Sequence, residues 1–168
     1  MRLKFWRSTC PGRCLGVFNV SKIIGTIPTW IAAFGFLFGL RRMGARPVAT
    51  WLTFLAMIAI ALNDIQAGVF PLPDKRHEGL LLLGFPLWSF SFLVAVSSLP
   101  RSGALRSYVA VSIAAAFLLI LTRVLLAPAI APLAGLFQRI FAFTLVVPIG
   151  VAAWFLAARF RSATMPPP

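Results

Sequence analysis

The chain has 168 residues, of which 60% are hydrophobic and 11% charged, with a formal net charge of +13. A soluble domain carries about a quarter charged residues, so this composition and a mean hydropathy of +0.94 argue against a soluble protein and for an all-α, polytopic transmembrane helix bundle. The basic residues sit mostly between apolar runs and at the chain ends, without any nucleic-acid-binding motif, which excludes DNA and RNA as partners and fits topology control and anionic lipid head groups.

Residues 1–17 form a basic head containing Gly and Pro. It is similar to a secretory n-region, but no short apolar segment with an Ala-x-Ala exit follows, so no cleavage is expected. Cys10 and Cys14 stand in Cys-Pro-Gly-Arg-Cys. That spacing completes no zinc site, and a disulfide requires an oxidising compartment, so two ordinary thiols are expected.

Residues 18–160 carry five apolar runs long enough to cross a bilayer, which takes roughly 20 helical residues. The first predicted helix spans Phe18 to Leu40, with a kink expected near Pro28, and Arg41, Arg42, Gly44, Arg46 and Pro47 mark its end and turn. The second runs from Val48 to Gly68 and is stopped by Pro71 and Pro73. The third, Glu78 to Ser98, contains Pro86 and should kink there. Pro100 to Gly103 forms a tight turn before the fourth, Leu105 to Leu126. A proline-broken loop, Ala127 to Leu133, leads to the fifth, Ala134 to Phe160, in which Pro148 marks a further kink. Residues 161–168 are a short Pro-rich tail. Short loops make sequence neighbours antiparallel.

One predicted membrane face carries Arg41, Arg42, Arg46, Arg101, Arg106, Arg159 and Arg161 without an acid. The positive-inside rule makes that face and the C-terminus cytoplasmic. The basic head, with Arg2, Lys4, Arg7 and Arg13, is then placed outside against the same rule. A missing preceding helix or an inverted orientation would resolve this.

All three acids, Asp64, Asp74 and Glu78, lie within one short stretch together with the only histidine, His77. Asp64 falls about 10 Å inside the end of its helix, and an ionised group at depth needs a partner. Arg123, Arg139 and Lys22 are the candidates. An up-down arrangement gathers Asn19, Lys22, Asn63, Asp64, Gln66, Asp74, His77, Glu78, Arg123, Gln138 and Arg139 near one face. This layer reads either as a polar pocket opening outward or as a structural ion pair that fixes helix packing. Glu78 in a first helical turn and Asp74 as its cap have a purely structural explanation. Asp64, Asp74, His77 and Glu78 match no zinc spacing.

One histidine excludes bis-histidine haem ligation and multi-histidine zinc hydrolases, and no Walker, GxSxG or HExxH motif occurs. No catalytic, cofactor-binding or metal-binding residue is therefore assigned. Trp6, Trp30, Trp51, Trp88 and Trp154 are expected to anchor helix ends at the interfaces. Gly35 and Gly39 form a GxxxG pair, and Gly25 with Thr29 and Ala110 with Ala114 offer further small faces, read as packing within the bundle rather than a dimer contact.

The segment Val17-Phe-Asn-Val-Ser21, followed by Gly25 and by Gly39-Leu-Arg-Arg42, and then Gly68-Val-Phe-Pro71 with an acid and a histidine close behind, resembles the domain of unknown function 998 family of bacterial and archaeal membrane proteins. The resemblance covers about residues 17 to 100. It implies six membrane helices, so the family's first helix is expected to be absent here. Pro73 stands where the family pattern has an acid, and Asp74 comes one position later. The resulting expectation is a non-enzymatic subunit or accessory of a membrane complex, joined to other subunits or to its own copies. The rival is a small-ligand or lipid-handling transporter or enzyme using the pocket around Asp64 and His77.

Overall fold

The structure is a computed structural model, described here over residues 12–70, 81–126 and 133–164. It is helical throughout, with no strand among the described residues. The helices are α1 (Gly12–Ile24), α2 (Thr26–Arg42), α3 (Pro47–Val69), α4 (Leu81–Ser97), α5 (Gly103–Leu125) and α6 (Ala134–Thr164).

The first predicted helix is two segments joined at Gly25. Pro28 has no N–H to give the carbonyl of Ile24, so the ladder breaks one turn before the proline. Gly25 still donates to the Ser21 carbonyl at 2.8 Å, and the Thr26 hydroxyl donates to the Ile23 carbonyl at 2.7 Å. Together they supply one continuous apolar stretch, Asn19–Arg42, long enough to span a membrane. Pro47–Val69, Gly103–Leu125 and Arg139–Arg159 are the other three spans of sufficient length. The described part of α4 rises about 25 Å, short of the roughly 30 Å hydrocarbon core. Among the described residues four helices are thus long and apolar enough to cross a membrane, where five spans were expected.

α3 is the centre of the bundle. It packs most extensively on α4 and next on α2, while α5 pairs with α6 and α4. The α3–α4 contact is close because Gly84 removes a side chain: a Cβ there would stand 2.8 Å from Ile60 Cγ1. Further along the same antiparallel pair, Thr53 Oγ1 donates to Ser91 Oγ at 3.2 Å. The core is aromatic. Trp88 stacks on Phe92 at 5.2 Å, and Phe36 meets both rings edge-on. Trp88 is only 2% exposed, so it is a core residue and not an interfacial anchor. Trp51 and Trp154 are exposed, as anchors require.

Two turns close one end. Gly44 takes a positive φ of 78° between α2 and α3, as the sequence suggested. In the α4–α5 turn the left-handed residue is Arg101, with φ 52°, rather than Gly103. Ser102, fully buried, lies 2.8 Å from the carbonyls of Val96 and Leu99 and donates to them, so it seals the end of α4 instead of capping α5. The GxxxG pair does not form a packing face: Gly39 is buried, but Gly35 is exposed and an added Cβ would meet nothing within 4 Å. Ala110 and Ala114 are exposed as well.

Candidate functional site

The helix directions put the ends of α3 and α5 and the starts of α1 and α6 at one end of the bundle, as the up-down reading required. At that end α1 lies on α3. The contact is made possible by Gly68, where a Cβ would come within 3.0 Å of the Asn19 carbonyl and of Ile23 Cγ1, and 3.4 Å from Lys22 Cβ. That close approach brings Lys22 to Asp64. Lys22 Nζ lies 3.2 Å from Asp64 Oδ1, with side chains 41% and 32% exposed.

The partner of Asp64 is therefore Lys22. Arg123 and Arg139 are exposed and form no ion pair with a described residue. The reason is geometric: α1 docks on α3 at this level, whereas the N-terminal half of α6 and the C-terminal half of α5 present mostly exposed side chains. The pair is only half-buried, so water or head groups reach both charges and the Coulomb gain is modest.

Two further polar groups of the layer are unsatisfied. Asn19 Oδ1 and Asn63 Oδ1 are buried and accept no hydrogen bond from a described residue. A buried acceptor without a donor costs about 1–3 kcal/mol. Asn63 is 5% exposed and immediately precedes Asp64 on α3. Among the described residues, the Asp64 end thus carries one ion pair and two open acceptors. Its chemistry favours a hydrogen-bond donor, a cation or water, over an anion. Asp74, His77 and Glu78 lie outside the described residues, as do Cys10 and the side chains of Cys14 and Gln138. Among the described residues no group of three metal-ligating side chains forms.

A cleft lies elsewhere, between α4, α5 and α6, lined by Trp88, Ser89, Ser112, Ile113, Thr144 and Pro148 among others. It has room for about one water molecule. Pro148 cannot donate to the Thr144 carbonyl one turn earlier, and the Trp88 indole N–H is buried without an acceptor. The sequence reading missed this place, although Pro148 with a hydroxyl residue four positions before it was a legible signal. It also missed Gly68 and Gly84, the glycines that set the helix contacts. No protein-family model matches the chain, and neither a curated protein nor a solved structure does so.

Proposed function

We propose that this chain is a five-span integral membrane protein that serves as a non-enzymatic subunit or accessory of a membrane complex, joined to other membrane subunits or to copies of itself. The observation that carries this reading is the unburied flank of the α5–α6 hairpin. In α5 only Leu105 and Val109 are buried, both within its first two turns. Phe117, Val124 and Leu125 on α5 and Leu136, Phe143 and Val146 on α6 are exposed. Lipid can cover such a flank, and so can another transmembrane helix. In this proposal α4 is the fifth span, the membrane is a bacterial inner membrane, and the arginine-bearing end, with the C-terminus, faces the cytoplasm. The six helices that the resemblance to the domain of unknown function 998 family implies agree with five spans here only if the family's first helix is absent. A native-mass measurement in mild detergent is the test. Co-purifying subunits or a defined homo-oligomer are expected, and a monomer would overturn the subunit role.

The second reading, a small-ligand or lipid-handling protein, is favoured by one observation: the open acceptors of Asn19 and Asn63 beside the Lys22–Asp64 pair. Asp74, His77, Glu78, Arg123 and Arg139 would complete that pocket. A monomer retaining a stoichiometric small molecule in the same measurement would establish it.

A further inference from the structure

Among the described residues, the end of the bundle opposite Asp64 carries charge of one sign. Arg41 and Arg42 close α2, Arg46 precedes α3, Arg101 lies in the α4–α5 turn, Arg106 is in the first turn of α5, and Arg159 is near the end of α6. Contacts between elements gather them. The Arg46 amide donates to Ser98 Oγ at 3.1 Å, and Arg159 Nη2 donates to the Arg101 carbonyl at 2.8 Å. Arg106 folds back over the start of its own helix, with Nη2 4.0 Å from where a Cβ on Gly103 would stand.

The only described carboxylate is that of Asp64, about 27 Å along α3 from Arg46. That exceeds three Debye lengths of roughly 8 Å at physiological ionic strength. No described carboxylate, therefore, neutralises this end. Two of the guanidinium groups instead lie on aromatic rings, Arg41 over Trp51 at 5.8 Å and Arg159 over Phe155 at 4.9 Å. A guanidinium laid on a ring at the flank of a helix stays at the edge of the apolar surface and does not extend into bulk water. In a bilayer that edge is the level of the lipid phosphates.

We propose that the arginines gathered around the α4–α5 turn, Arg101, Arg106 and Arg159, bind the phosphate of an anionic phospholipid head group, whose acyl chains lie along the exposed apolar surface of α5 and α6. Guanidinium forks match phosphate oxygens in geometry as well as charge. The parts of α5 and α6 next to this turn carry exposed apolar side chains, Val111 on α5 and Trp154 on α6. Free phosphate offers the same oxygens but gains nothing from that surface. The site rests on the membrane-spanning reading above.

The test uses the full chain in nanodiscs of phosphatidylcholine alone and of phosphatidylcholine with phosphatidylglycerol, followed by native mass spectrometry and thermal melting. The wild type is expected to retain phosphatidylglycerol selectively and to melt several degrees higher when it is present. Arg106→Gln, which removes no described hydrogen bond, should weaken apparent phosphatidylglycerol affinity at least threefold. Arg101→Gln combined with Arg106→Gln and Arg159→Gln should weaken it at least tenfold. Arg123→Gln, at the other end, should leave it unchanged. Equal retention of the two lipids, an equal loss in Arg123→Gln, or full reproduction of the shift by inorganic phosphate would overturn the site while leaving the membrane reading intact. Failure of the chain to enter nanodiscs would overturn both.

Discussion

Replacing Gly84 by alanine should destabilise this bundle even though alanine is the better helix former. The new Cβ would stand 2.8 Å from Ile60 Cγ1, 3.3 Å from the Ile60 amide nitrogen and 3.5 Å from its Cα. The first contact is well inside ordinary van der Waals distance, the second is tight and is to backbone, so rotating the Ile60 side chain cannot relieve it, and the third is an ordinary contact. α3 and α4 must therefore move apart along the contact that holds most of the core. Overpacking of this kind costs about 1–3 kcal/mol, and the helix-propensity gain of alanine over glycine returns roughly 1 kcal/mol. A net loss near 1 kcal/mol lowers the melting temperature by about 2–4 °C for a chain of this size. Gly35→Ala and Gly150→Ala provide the contrast. An added Cβ meets nothing within 4 Å at either position, so both should be neutral or slightly stabilising. In the double variant Ile60→Ala with Gly84→Ala, the Cγ1 clash is gone, and the loss should be smaller than the sum of the single losses. The assay is thermal melting of detergent-solubilised protein followed by size-exclusion chromatography. If Gly84→Ala melts with or above Gly35→Ala, the α3–α4 contact is not as close as described.

Asp64→Asn and Lys22→Gln should each cost about 1 kcal/mol, because the pair is part-exposed, and combining them should cost little more than either alone. Melting curves of the two singles and the double check this, and a loss in Arg123→Gln or Arg139→Gln matching that in Lys22→Gln would contradict the assignment. Trp88→Ala should cost about 3–5 kcal/mol as a large core truncation, whereas Trp88→Phe, which also removes an unpaired indole N–H, should cost far less. Equal losses for these two would show that the indole has a partner. A cytoplasm-active reporter fused after Pro168 should be active, and activity of an export-dependent reporter there would invert the proposed orientation.

The helix pattern was legible because its signals are local. Apolar runs, prolines and arginine-bearing turns mark where chain enters and leaves lipid, and the observed bounds of α3 and α5 lie within two residues of those expected. The kink at Pro28 was legible too, displaced one turn to Gly25 by the geometry of the missing N–H. What the sequence did not reveal is pairwise. Lys22, Arg123 and Arg139 were all candidates for Asp64, with the two arginines foremost, since all three sit near the same face. Only the docking of α1 through Gly68 selects Lys22. The GxxxG spacing of Gly35 and Gly39 suggested a packing face, yet the close contacts run through Gly68 and Gly84, neither of which belongs to a GxxxG pair. Trp88 looked like an anchor because its distance from a helix end is the same whether it faces lipid or the core.

The concentration of packing in α2, α3 and α4 also bears on how the molecule is made. Chains emerge N-terminus first, and once Leu99 is out of the ribosome the interlocked aromatic centre of Phe36, Trp88 and Phe92 is complete. The last hairpin has few buried residues of its own and arrives against a platform already formed. Biogenesis is then a two-stage event, with a self-sufficient front half and a late-docking back half. A nascent chain whose first 100 residues have left the ribosome should already resist extraction and proteolysis across α2 to α4, before α5 and α6 have emerged.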